Sequence, residues 1–286
     1  MKKIVSLVVA ALVMCSCADS FLSEEPVGEF MPEQVESEEN IEGIVIGAYA
    51  VLDGYYASDA INSGCSNWQF GDVVSDDAYK GGGGTGDQNQ IHLMEIFNAN
   101  PTGIDFEARW AALYEGVKRC NQAIRLLSNS TVKNKEQRLA EMRFLRGHYY
   151  FNLKVIYNLI PWIDETVVDP NEYHTKSNME FTSDQLWEKI LGEFSAAYQV
   201  LPESQSDYGR PTKMAAKAYM AKVYLYQSKW KECLSACDEV IQSGKYTLYP
   251  DFREVFLPEN DNNSEIIFAV QLSINDGASS NQNGSY

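Results

Sequence analysis

Apolar residues recur along this chain at the three-and-four spacing of amphipathic helices, in six successive segments. Ile41, Ile44, Val45, Ala48, Tyr49 and Leu52 fall on one face of a first helix. Phe106, Trp110, Leu113, Tyr114, Val117, Ile124 and Leu127 form the stripe of a second. Leu139, Met142, Leu145, Tyr149, Leu153 and Ile156 form that of a third, from about Lys135 to Tyr157, which closes before Pro161. The connection around Ser128 to Asn134 is short, so these two long helices are expected to pack as an antiparallel pair. Between the first and second helices, about Tyr55 to Gly103 reads as one long loop, a length that in a compact domain is usually functional or disordered.

Thr182 and Gln185 have the spacing of a capping box. They open a fourth helix with Leu186, Ile190, Phe194 and Ala197 inward, ended by Pro202. Thr212 caps a fifth, with Met214, Ala218, Ala221 and Leu225 inward. A turn at Ser228-Lys229 leads to a sixth, with Trp230, Leu234, Cys237 and Ile241 inward and Gly244 at its C′ position. The stretch from Thr212 to Gly244 is about one tetratricopeptide unit of roughly 34 residues. Such units bury their faces by stacking. The expectation is an all-α fold, a tetratricopeptide-like superhelix with long irregular loops. Only Glu265 to Val270 reads as a strand, and Asn275 to Tyr286 as a polar loop.

The first residues follow another pattern. A basic start, Met1 to Lys3, precedes an apolar run from Ile4 to Val13. That run is shorter than the roughly 20 residues a spanning helix needs, and small residues follow it, as in a cleaved signal peptide. Met14-Cys15-Ser16 leads directly into Cys17, an order similar to a bacterial lipobox. Residues 1–16 are read as a lipoprotein signal, with Cys17 as the acylated first residue of the mature chain. Residues 17–32 serve as anchor and tether, and 33–286 as the helical domain. An ordinary signal peptide ending in cysteines is the competing reading. Each acyl CH₂ buried contributes about 0.8 kcal/mol, so several chains anchor stably.

Composition narrows the partners. The net charge of −17 opposes binding to nucleic acid and docking on anionic lipid through basic patches. It favours a neutral or cationic ligand, or a protein. Of the cysteines, Cys233 and Cys237 share a helix face. They lack further ligands nearby in sequence and read as small buried thiols rather than a metal pair.

The segment Asn67 to Lys80 is the richest in binding chemistry. Trp68 and Tyr79 offer flat rings for sugar C–H faces, and Asp72, Asp76 and Asp77 offer hydroxyl acceptors, a mixture suited to ligand sites. The same aspartates suit Ca²⁺, which prefers oxygen ligands, or simple capping of a short helix. No cofactor is otherwise expected. Lys80 to Gly86 is glycine-rich but lacks the Lys-Ser/Thr of a phosphate loop. Arg146 and Glu141 read as snorkelling charges on a packed helix rather than a ligand clamp, and Tyr149-Tyr150-Phe151 reads as core. His92, His148 and His174 are scattered, with neither a His-Glu-x-x-His nor a Gly-x-Ser-x-Gly motif. A carboxylate pair for glycoside cleavage would be decided only by spacing in the fold.

Several motifs, in order, carry a likeness to a known family. They are Cys17-Ala18-Asp19-Ser20-Phe21-Leu22, Trp110-x3-Tyr114 with Asn121, and Glu141 to Phe151 running into Tyr157-Asn158-Leu159-Ile160-Pro161. Gly209-Arg210-x-Thr212-Lys213 and Asn263-Ser264-Glu265-Ile266-Ile267-Phe268 complete the set. The chain resembles the SusD/RagB family of outer-membrane nutrient-uptake lipoproteins. Asn158 stands where that family has glycine, a residue that tolerates left-handed geometry. The resemblance implies a non-catalytic, lipid-anchored protein at the cell surface. It would bind oligosaccharide and deliver it to a SusC-type TonB-dependent transporter. A peptide ligand, or a scaffold that only closes the transporter lid, are its alternatives. It also implies a chain about twice this length, whose second half supplies part of the ligand surface.

Overall fold

The computed structural model describes residues 38–55 and 67–271. The signal, Cys17, the tether, Cys65 and the tail from 272 lie outside the described residues. Seven helices form the described body: α1 (Glu38–Tyr49), α2 (Asn89–Glu95), α3 (Ile104–Asn129), α4 (Lys135–Tyr157), α5 (Ser183–Val200), α6 (Lys213–Tyr226) and α7 (Trp230–Gln242). A 3-10 turn, Ala50–Asp53, extends α1, and one helical turn, Pro170–Tyr173, interrupts the connection to α5. Among the described residues there is no strand, and no helix is long and apolar enough to cross a membrane.

From α3 to α6, successive helices pack antiparallel. Along α3, Trp110, Tyr114 and Asn121 meet Tyr157, Tyr150 and Arg146 of α4, so residue numbers rise on one helix as they fall on the other. Arg146, Phe151 and Lys154 of α4 meet Glu193, Trp187 and Ser183 of α5 in the same sense. Phe194 and Trp187 of α5 then meet Tyr219 and Tyr226 of α6. The periodicity over Lys135–Tyr157 and the capping box at Thr182 are both realised: Thr182 Oγ1 accepts from Gln185 N, and Gln185 Oε1 accepts from Thr182 N at 2.9 Å.

Two glycines let the helices close up. A Cβ on Gly116 of α3 would lie 2.6 Å from the ring of Tyr149, and one on Gly147 of α4 would lie 2.9 Å from the ring of Phe194. The core between them is aromatic. Tyr149, Tyr150 and Phe151 are buried as expected, and Phe194 stacks on Tyr219 with centroids 4.8 Å apart.

Four expectations are corrected. The 55–103 segment is not one loop but holds α2 and a π-turn, Trp68–Asp72. Glu265–Val270 forms no strand. Thr247 and Ser264 share two hydrogen bonds, but nothing continues that pairing, and Phe268 instead packs against Phe144. On α6 the buried set includes Met214, Ala216 and Val223, while Leu225 is exposed. On α7 the inward face is Ala236 and Val240, while Trp230, Leu234 and Ile241 are over 60% exposed. Small residues win there because they let α7 lie close to α6, and the half-exposed Cys233 and Cys237 follow from the same rotation. Gly244 keeps its expected role, with φ +64° just past the helix end.

Candidate functional site

The Asn67–Lys80 segment is a clamped loop. Its π-turn closes with Val73 N donating to Trp68 O at 2.9 Å, and Ala78 N donates to Asp72 O at 3.0 Å. Gln69, Val73 and Lys80 are the buried anchors. Phe70 meets Phe106 of α3 edge-on at 5.5 Å. Arg109, buried on α3, lies 5.7 Å from the centroid of the Phe70 ring and donates to Asn67 Oδ1 at 3.1 Å. The sequence reading missed this clamp. Arg109 lies three residues after Phe106 and four before Leu113, on the apolar stripe itself, but its charge kept it out of a reading based on apolar positions.

The five expected ligand residues share this loop but not one environment. Trp68 is half-buried, while Asp72, Asp76, Asp77 and Tyr79 are exposed, Tyr79 at 76%. The Ser75 hydroxyl lies 3.1 Å from Asp72 O and 3.2 Å from Asp77 Oδ2, joining the two ends of the acidic turn. Asp76 holds φ +65°, a conformation Asp tolerates better than most residues. The turn therefore presents carboxylates and a ring outward on a fixed backbone. Among the described residues, no group of three or more His, Cys, Asp or Glu side chains is placed to hold a metal ion.

The glycine-rich segment folds inward on its own lysine. Lys80 Nζ donates to Gly84 O at 2.9 Å and to Asp87 O, and Gly83 N donates to Asp87 Oδ2. Gly82, at φ +75°, has Asp87 Oδ2 2.2 Å from where a Cβ would stand. The ammonium is thus occupied by carbonyls, and the segment cradles a cation of the chain rather than a phosphate.

The helical body holds two buried ion networks, which replace the snorkelling expected for Arg146 and Glu141. Arg146 donates to both Glu193 oxygens (3.1 and 2.8 Å), to Asn121 Oδ1 (2.8 Å) and to Glu165. Burial works against its charge, but Glu193 and Glu165 hold the guanidinium above its ordinary range. Glu141, fully buried, accepts from Arg138 and Arg210 at 2.8 Å and from Tyr49 at 3.0 Å, tying α1, α4 and the 201–212 connection together. Burial, with Glu141 beside it, raises the Tyr49 hydroxyl well above its usual range. Asn158, at φ +62°, accepts from Lys154 Nζ at 2.6 Å and turns the chain after α4 as expected of the glycine substitute.

His148, half-buried on α4, has Nδ1 2.6 Å from the Tyr219 hydroxyl. Burial, with Arg109 and Lys222 nearby, lowers its pKa from 6.5 to about 3. The unfolded chain therefore takes up a proton between these values that the folded chain refuses. Its contribution is complete above pH 6.5 and is lost as pH falls toward 3, at no more than about 1.4 kcal/mol per pH unit. Urea midpoints across this range are expected to fall more steeply for the native chain than for His148→Gln. Parallel curves would contradict the assignment.

A cleft of about 360 Å³ opens on the side of α3, lined by Trp110, Tyr114, Glu115, Lys118 and Tyr173 among others. None of its lining residues belongs to the 67–80 loop. Trp110 and Tyr114, read from sequence as part of a helix stripe, are both half-buried there.

Comparisons with known proteins agree with this architecture. The SusD-like family profile, described as starch-binding associating with outer membrane, matches residues 20–225. SusD-like protein P25 of Formosa agariphila is 23% identical over 94% of this chain and 52% of its own length. A SusD-like protein of Bacteroides ovatus is 24% identical over 94% of this chain and 49% of its own length. Among solved structures, surface glycan-binding protein A from Bacteroides thetaiotaomicron, in complex with laminarihexaose, superposes with a TM-score of 0.70 at 29% identity. That match covers 82% of this chain and 49% of that one. A laminarin-binding SusD-like protein superposes with a TM-score of 0.70 at 26% identity, covering 82% and 51%. The chain thus spans about half the length of the relatives it matches. With the profile covering most of the chain, and the same helical fold found in the solved relatives, the protein belongs to the SusD-like family.

Proposed function

We propose that this chain carries the glycan-binding loop of a non-catalytic, lipid-anchored surface protein that delivers oligosaccharide to a SusC-type TonB-dependent transporter. The observation that carries the reading is the clamped 67–80 loop, with an exposed ring and three carboxylates held on a rigid turn over α3. A sugar needs that combination: a flat apolar face for its C–H side, and acceptors fixed in place for its hydroxyls. Trp68 and Tyr79 supply the faces, and Asp72, Asp76 and Asp77 the acceptors. Solved relatives named for laminarin and laminarihexaose support a β-glucan as the first ligand to try. Cys17 is the acylated residue in this reading, and the outer-membrane surface its place.

Calorimetry of the whole chain against laminarihexaose, other glycans and peptides tests the proposal. Binding of a glycan is expected, weakened about tenfold or more by Tyr79→Ala, a loss of about 1.4 kcal/mol. Tyr79 is exposed, so this variant keeps the fold. Heat with peptides alone, or with no ligand at all, would overturn the proposal in favour of a peptide binder or a protein-binding lid.

A further inference from the structure

We infer that the α3 cleft is a second carbohydrate subsite, separate from the 67–80 loop, which takes a short neutral oligosaccharide of one or two rings. The class of its ligand rests on the proposed glycan-binding function, but the cleft itself is argued from its own geometry.

Its volume, about 360 Å³, lies at the lower end of the roughly 300–1,000 Å³ of small-ligand sites, which limits the occupant to a short one. Two aromatic rings form its wall. Trp110 and Tyr114 stand 4.8 Å apart, tilted 45° to each other, and Tyr157 braces Trp110 edge-on at 4.9 Å. The rings are therefore held before any ligand arrives. Tyr173 contributes a third aromatic surface from the turn before α5.

The polar groups divide into spent and available ones. Tyr114 Oη donates to Pro161 O at 2.7 Å, and Asn121 bonds Ile163 O and Arg146, so these two fix the walls, with the Tyr114 proton and the buried Asn121 amide already committed. On the rim, Glu115 Oε1 accepts from Arg119 at 2.9 Å, while Oε2 meets only the Lys118 ammonium, 4.0 Å away. Lys118 is 58% exposed. One carboxylate oxygen and one ammonium thus stand on the rim of the aromatic cleft, an acceptor and a donor for hydroxyl groups. The opposed rim charges and the net −17 of the chain disfavour an anion. The open aromatic wall suits the C–H face of a pyranose better than a fully buried apolar group.

The test uses the full chain labelled with 5-fluorotryptophan and laminaribiose as the probe. The sequence has five tryptophans, so five ¹⁹F resonances are expected, assigned by single Trp→Phe variants. The Trp110 resonance is expected to shift along a saturation curve separable from that of Trp68. Ala111, exposed on the cleft rim, allows a blocking variant that leaves the core alone. Ala111→Phe is expected to weaken the Trp110 response at least tenfold and to leave the Trp68 response in place. A Trp110 resonance that stays still up to tens of millimolar sugar overturns the subsite, whatever Trp68 does. A Trp110 shift that persists unchanged in Ala111→Phe also overturns it, since the shift then arises elsewhere. Movement of Trp110 with no movement of Trp68 supports the subsite and counts against the 67–80 loop, so the two readings fail separately.

Discussion

Replacing Arg146 with methionine is expected to lower the thermal unfolding midpoint by on the order of 10 °C. The side chain is 2% exposed and satisfies both oxygens of Glu193, itself 6% exposed. Methionine fills much of the volume but leaves that buried carboxylate with only the more distant Arg143 guanidinium, 3.9 Å from Oε1, as a counter-charge. Breaking a buried pair by removing one partner costs about 3–5 kcal/mol, and in a domain of this size each kcal/mol moves the midpoint by about 2–4 °C. Asn121 and Glu165 lose a donor as well, which loosens the connection after α4. The double variant Arg146→Met with Glu193→Leu removes the stranded charge and is expected to recover most of the loss. Differential scanning calorimetry of both variants checks the pair. A single variant as stable as the native chain would mean that the network is solvated in solution.

Gly116→Ala is the second large effect, and its direction opposes intrinsic propensity. In an open helix the change from glycine to alanine stabilises by about 0.5–1 kcal/mol. Here the new methyl would sit 2.6 Å from ring carbons of Tyr149. That ring is fully buried, and its hydroxyl donates to Ala48 O at 2.8 Å, so it has no room to withdraw without losing a contact with α1. Overpacking of this kind costs about 1–3 kcal/mol. The net expectation is a loss of about 1–2 kcal/mol. Gly192 on α5 provides the control, because a Cβ there meets nothing within 4 Å. Gly192→Ala is expected to stabilise while Gly116→Ala destabilises, as read from urea midpoints. The same sign for both would show that α3 and α4 do not approach as closely as described.

What the sequence revealed follows from which forces act locally. The helices α3, α4 and α5 were legible because a 3.6-residue period, a capping box and a proline stop are local signals, and all three hold in the fold. The face that α7 turns inward was not legible. A stripe of large apolar residues shows where an apolar partner is wanted, while Ala236 and Val240 show where α6 lies. Glu265–Val270 is a short run of β-branched and aromatic residues of the kind strands use, but a strand needs a neighbour to accept its hydrogen bonds, and none runs beside it among the described residues.

The candidate site divides in the same way. Trp68, Tyr79 and the three aspartates were legible as chemistry because rings and carboxylates are recognisable in any loop. The clamp by Arg109 and Phe106 depends on contacts between segments distant in sequence, and the occupation of Lys80 by carbonyls depends on how the 80–87 backbone turns. Arg146 and Glu141 were misread for that reason too. Their partners, Glu193, Arg210 and Tyr49, arrive from other helices and connections.

The proposed site is a rigid acidic turn with two aromatic rings, holding a sugar on a helical scaffold. A crystal structure of the chain at saturating laminarihexaose tests it most directly. Sugar density is expected against Trp68 or Tyr79, with hydroxyl groups bonded to carboxylates of the 72–77 turn. A glycan ordered elsewhere, with that loop empty, would contradict it.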